Sequence, residues 1–159
     1  MADAGPLIAF GRLDKLPLLG AIFDRVIVPR AVYDETRSRP ETPDASAIRA
    51  AAQSGALTLD ASAPGRPDLP GEVELGEGQA AAIALAAKLG DAVLMDDLQG
   101  RSAASMLKLR VVGCSSKASS RLNRRGSSIS SRVGPSVGGA YAYINTGIGS
   151  LTLQMVRPG

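Results

Sequence analysis

The stretch Gln79-Ala80-Ala81-Ala82-Ile83-Ala84-Leu85-Ala86-Ala87-Lys88-Leu89-Gly90-Asp91-Ala92-Val93-Leu94-Met95-Asp96-Asp97 decides the fold. Its first half is rich in Ala and Leu, strong helix formers, and stops at a glycine suited to a left-handed helix end. Ala92-Val93-Leu94-Met95 is an unbroken apolar run of strand length, the pattern of a strand covered on both faces. Asp96 and Asp97 close it. A helix feeding a buried strand is the repeating step of an α/β fold, and ligands in such folds gather beyond the carboxyl ends of the strands.

The same step recurs on either side. Downstream, a helix over about Gly100–Leu107 and a strand Arg110-Val111-Val112 follow. Upstream, the three prolines of Ala63–Gly71 mark a linker. Before it, Asp44 is expected to cap a helix over Ala45–Ser54, closed by Gly55 and followed by the strand Leu57-Thr58-Leu59. Residues Arg37 to Pro43 form a polar loop. Val26-Ile27-Val28 is a short β-branched strand, and Pro29 opens a helix through Val32 and Glu35. Apolar residues from Leu7 to Phe23 recur at three- and four-residue spacing with breaks at Gly11 and Pro17, which predicts a helix that is kinked or in two pieces. This alternation predicts an α/β sandwich with a mainly parallel sheet and right-handed connections.

Composition narrows the chemistry. The 159 residues contain no His, which removes Ser-His-Asp and Cys-His nucleophile systems and His-containing zinc sites. The single cysteine, Cys114, cannot form an internal disulfide and reads as an ordinary small residue of a reducing compartment. No apolar run approaches the ~20 residues needed to span a bilayer, and no basic segment precedes Asp3. The chain is therefore expected to be cytoplasmic. Its net charge of +3 conceals a division: residues 1–113 hold 12 basic and 15 acidic side chains, whereas residues 114–159 hold 6 basic and none acidic. Ten serines and three leucines accompany that change in the last 46 residues.

Four places put an acid where the site of such a fold would form: Asp3 ahead of the first helix, Glu35 late in the helix after the second strand, Glu77 at the start of the Ala-rich helix, and the pair Asp96-Asp97. Each alone is adequately read as a surface acid, and Glu77 as a first-turn residue favoured by the helix dipole. Side chains of adjacent strand residues point to opposite faces, so one of Asp96 and Asp97 serves a site. Converging carboxylates repel one another unless a cation lies between them, and a donor set without His or Cys suits Mg²⁺ or Mn²⁺.

Asp3-Ala4-Gly5-Pro6-Leu7-Ile8-Ala9, Val28-Pro29-Arg30-Ala31-Val32-Tyr33-Asp34-Glu35, Leu75-Gly76-Glu77-Gly78-Gln79-Ala80-Ala81-Ala82-Ile83-Ala84-Leu85-Ala86 and Leu94-Met95-Asp96-Asp97-Leu98-Gln99-Gly100-Arg101 resemble, in order, the successive motifs of the PIN-domain family. The likeness covers about residues 1–113 and is greatest to a branch beside the VapC-type toxin ribonucleases. It implies a PIN-like three-layer α/β/α sandwich and a metal-dependent endoribonuclease. Asp3, Glu35, Glu77 and Asp97 would be the acidic catalytic and metal-binding cluster, with Asp96 in reserve for the last position and Mg²⁺ or Mn²⁺ as cofactor. It also implies an RNA substrate and, for a toxin, a cognate antitoxin and a homodimer. Arg101 stands where this branch often carries a basic residue; it touches a phosphate or pairs with a neighbouring acid.

Two departures set further expectations. Relatives begin with a full apolar strand, but only Met1 and Ala2 precede Asp3; either the true start lies upstream, or the sheet lacks its central strand and Asp3 is poorly held. Beyond Gly113 the likeness ends. The basic tail 114–159 either neutralises nucleic-acid phosphates through Arg121, Arg124 and Arg125, or results from a reading-frame change that replaces a native helix, the reading favoured by the abrupt shift in Leu, Ser and acids. Either way the tail to Arg132 is expected to lack fixed structure, and loss of the last helix to expose Met106 and Leu107. The competing function is a non-catalytic PIN-like module that binds nucleic acid or protein, or an inactive truncated or frameshifted product. Gly76-Glu77-Gly78-Gln79-Ala80-Ala81 also fits a dinucleotide-binding spacing, but no adequate strand precedes it and Glu77 would oppose the pyrophosphate.

Overall fold

A computed structural model describes residues 1–38, 40–71, 73–115, 141–145 and 152–156. The predicted first helix is two helices, α1 (Ala4–Arg12) and α2 (Pro17–Ile22), the second opened by the proline that breaks the first. Then come β1 (Ile27–Pro29), α3 (Arg30–Thr36), α4 (Pro43–Gln53), β2 (Thr58–Asp60), α5 (Glu77–Leu89), β3 (Val93–Leu94), α6 (Leu98–Met106) and β4 (Val111–Ser115). Residues 61–71 carry neither helix nor strand, as the prolines require. Gly90 ends α5 at φ 65°.

Strands β1 and β2 pair in parallel, and so do β3 and β4. Between these pairs lies the chain's first tripeptide. Ala2 N–H donates to Ile27 O at 3.0 Å, Leu94 N–H to Met1 O at 2.7 Å and Asp3 N–H to Leu94 O at 3.0 Å, with Ala2 paired to Leu94 as a parallel bridge. The central strand is thus reduced to one bridged residue, yet it joins the two pairs. Asp3 is not poorly held: bonding to both neighbours fixes the backbone leading into it.

The fold is an α/β sandwich with a mainly parallel sheet, as the alternation predicts. α1 packs against α3 and α4, and α5 packs against α3, α6 and β1. The fully buried Leu7, Phe10, Val28, Val32, Ile83, Val93 and Met95 fill the core between them. α5 is buried on nearly all sides from Ala80 to Ala86, which explains its small side chains: neighbouring elements approach its backbone closely.

One helix start differs from expectation. Thr42, not Asp44, occupies the cap position of α4, because Pro43 with its fixed φ and missing N–H takes the first helical place. Asp44 instead lies buried in the first turn, its carboxylate 3.6 Å from Arg12 Nε of α1. Gly11 allows this crossing, since a Cβ there would stand 3.0 Å from Asp44 Cα.

Strand β4 runs two residues past Gly113, to Ser115. β5 (Tyr141–Asn145) pairs with it in parallel, and β6 (Thr152–Val156) returns antiparallel to β5. The expectations for the tail between Ser116 and Arg132 fall outside the described residues. Met106 is exposed and Leu107 half-buried. Among the described residues no helix is long and apolar enough to cross a membrane.

Candidate active site

Asp3 leaves the bridge at the amino end of α1, and only 5% of its surface is exposed. Its Oδ1 is buried with no hydrogen-bond partner among the described residues. Burial, foremost, raises its pKa from 3.8 to about 6; the Ala4 N–H opposes this, and the carboxylates of Glu35, Asp97 and Asp96 add to it. Three acids brought by α3 and by the end of β3 therefore direct their fields at one buried carboxyl group.

Each of the three is held differently. Glu35 projects from the last turn of α3 and lies against Gly78 in the first turn of α5, with its carboxylate where a side chain on residue 78 would go. Asp97 caps α6: its Oδ2 accepts the Gly100 N–H at 2.8 Å. That bond uses one oxygen and leaves Oδ1. Asp96 is tied to the neighbouring strand, its Oδ1 accepting the Cys114 N–H of β4. Burial raises the Asp96 pKa, against the Cys114 N–H and the positive charge of half-buried Arg101. The same surroundings, burial first and then Asp96, push the Cys114 thiol up to about 11, which makes it a poor nucleophile.

Glu77 stands apart from this group. It opens α5 on the exposed side and lines a cleft with Arg30, Asp34 and Arg66. There Arg30 Nε bonds both carboxylate oxygens of Asp34, at 3.0 and 2.9 Å. Arg66 Nη2 donates to Leu75 O at 3.1 Å.

The structure therefore brings the charges of Glu35, Asp96 and Asp97 to bear on Asp3 and leaves Glu77 outside that group, on the exposed cleft, although it is one residue from the Gly78 on which Glu35 rests. Among the described residues no three acids form a ready-made ligand set for a metal ion. The donor chemistry still suits a hard cation: every side chain offers oxygen, like charges face one another, and a buried carboxylate oxygen has no donor. Sequence reasoning missed the roles of Gly78 and of the Cys114 N–H, both of which depend on contacts between segments distant in the chain. Asp97 as helix cap was readable as an Asp followed three residues later by the first helical turn's N–H.

A family model described as a PIN domain matches residues 1–115, from the central bridge to the last residue of β4. The chain belongs to the PIN-domain family. PIN domains are nuclease modules that act on nucleic acid and typically use divalent metal ions. No curated protein and no solved structure matches the chain. In this PIN domain Asp3 follows the central bridge and Asp96 and Asp97 follow β3, the place that an open parallel sheet offers a ligand, while Glu35 comes from the last turn of α3.

Proposed function

We propose that this PIN domain is an endoribonuclease dependent on Mg²⁺ or Mn²⁺, with Asp3, Glu35, Glu77 and Asp97 as its acidic cluster. The observation that carries the reading is the buried, unpartnered Oδ1 of Asp3 in the field of Glu35, Asp97 and Asp96. A carboxylate so placed is unfavourable by itself and becomes favourable when a cation joins it. When bound, the ion supplies activation of water and neutralises charge on the phosphodiester.

The chain's own groups divide the remaining work. Asp3 offers the buried oxygen, and Glu35 and Asp97 face it from α3 and α6. Asp97 is preferred to Asp96 as the fourth acid, because Asp96 is committed to the Cys114 N–H and to the field of Arg101. The charge of Arg101 opposes the burial that raises the Asp96 pKa, and Arg101 is the cation nearest in sequence to the acids that follow β3, which suits it to meet an incoming phosphate. Glu77 borders the cleft of Arg30 and Arg66, where RNA flanking the cleaved bond would pass. The nuclease unit ends with β4 at Ser115, and β5 and β6 add strands to its sheet. The likeness to the branch beside VapC-type toxins supports a finer role as the toxin of a toxin–antitoxin pair, held inactive by its antitoxin.

The test is cleavage of single-stranded and structured RNA in Mn²⁺ or Mg²⁺. Activity is expected to vanish in EDTA and to fall about 10- to 100-fold in Asp97→Asn, which retains the helix cap through its amide oxygen but loses the charge. Cleavage that is indifferent to EDTA and unchanged in Asp97→Asn and Asp96→Asn would remove the metal assignment. Binding of RNA without cleavage would favour the non-catalytic module.

A further inference from the structure

We propose that Gly78 is a positioning residue: its missing side chain is the seat that holds the Glu35 carboxylate toward Asp3. A Cβ built on Gly78 would collide with Glu35 Oε2, whereas its next neighbours, Val32 Cγ2 at 3.4 Å and Val32 Cα at 3.6 Å, stand at ordinary contact distance. The collision is therefore confined to the far end of one flexible side chain. The fold accommodates alanine at this position without moving backbone, and only the Glu35 carboxylate has to leave.

The seat matters because of where the two helices bring it. α3 and α5 pack against each other, and Gly78 is buried in the first turn of α5 while Glu35 is the penultimate residue of α3. Glu35 is itself exposed, and among the described residues its carboxylate makes no hydrogen bond or ion pair, so the contact with Gly78 is the one that bears on its position on the α5 side. Among the three carboxylates whose fields reach Asp3, that of Glu35 acts most strongly. Displacing Glu35 from Gly78 therefore loosens the acid that Asp3 feels most. This inference rests on the nuclease reading for its functional consequence, but not for its geometry.

Gly78→Ala separates the two. A purely structural glycine in a helix would be improved by alanine, so the thermal midpoint of the variant is expected to equal or exceed that of wild type. The Glu35 side-chain carboxyl ¹³C resonance is expected to shift in Gly78→Ala while amide resonances outside α3 and α5 stay in place. Mn²⁺ affinity, measured by calorimetry, is expected to fall on the order of tenfold, as for other losses of a group that orients a ligand. Glu35→Asp in the Gly78→Ala background withdraws the carboxylate by one methylene and is expected to recover most of that affinity. An unmoved Glu35 resonance, or Mn²⁺ affinity lost equally in Gly78→Ala and the double variant, overturns the seat. A wild-type protein inert to both Mn²⁺ and RNA overturns the nuclease reading instead, and the resonance still decides the seat.

Discussion

Asp3→Asn is expected to lower metal-dependent RNA cleavage by roughly 10² to 10³-fold, the scale of losing a group that stabilises the transition state. It is also expected to make the ion-free protein more stable at neutral pH. These two effects have one cause. Ionised Asp3 is buried, lacks a partner for Oδ1 and faces three carboxylates. Asparagine keeps the shape, can still accept the Ala4 N–H, and turns the repelled oxygen into an amide that can donate toward the surrounding acids. It cannot hold a cation.

The pH dependence gives the sign. Well below the unfolded value of 3.8 the Asp3 carboxyl is protonated whether the chain is folded or unfolded, and its burial costs no ionisation energy. Between the unfolded value of 3.8 and the folded value of about 6, the folded protein retains a proton that the unfolded chain has released. Stability therefore falls as pH rises through this window, and the full cost persists above it. At about 1.4 kcal/mol per pH unit the cost reaches roughly 2 to 3 kcal/mol at neutral pH. Urea unfolding of wild type and Asp3→Asn in EDTA at pH 4, 5, 6 and 7 measures it as the difference between two curves, which cancels the other titrating groups. The difference is expected to open across the window in favour of Asp3→Asn, and adding Mn²⁺ to reverse it by stabilising wild type alone. Parallel curves would mean that Asp3 titrates as an ordinary exposed acid and is not the buried centre of the site.

The parts of this arrangement that were legible in the sequence are those set by local pattern. Helix α5, its stop at Gly90 and the apolar strand before Asp96 follow from composition and spacing within some twenty residues, and they fix the carboxyl edge at which the acids stand. The broken first helix follows from Pro17 in the same way. What was not legible depends on contacts across the chain. A single bridged residue at Ala2 has no period from which to read a strand. The commitment of Asp96 to Cys114 follows from the register of β3 on β4, and the seat of Glu35 follows from the packing of α3 on α5. Strand β5 likewise owes its place to pairing with β4, not to its own neighbours. Resemblance supplied the four acids together, and only the fold separates Glu35, Asp97 and Asp96, whose charges act on Asp3, from Glu77 at the edge of the neighbouring cleft.

Ala2→Asp is expected to destabilise the protein by at least about 4 kcal/mol, enough to leave most of it unfolded or insoluble. Ala2 has no exposed surface, and its side chain points to the opposite face of the bridge from Asp3, into the core. A carboxylate there would be an unpaired buried charge, whose cost exceeds that of any exposed substitution. The position also carries connectivity: among the described residues, the backbone bonds of Met1, Ala2 and Asp3 to Ile27 and Leu94 are what join β1–β2 to β3–β4. Ala2→Ser, with one small hydroxyl, sets the scale at about 1 to 2 kcal/mol. Far-ultraviolet circular dichroism against urea, with soluble yield, distinguishes the two. A wild-type midpoint in Ala2→Asp would show that residue 2 is not inside the sheet, and the position of Asp3 would fail with it, since the same bonds carry both. Comparison with Asp3→Asn separates site from scaffold: one change removes activity while raising stability, and the other removes both, because the strand that delivers the first acid is a single residue long.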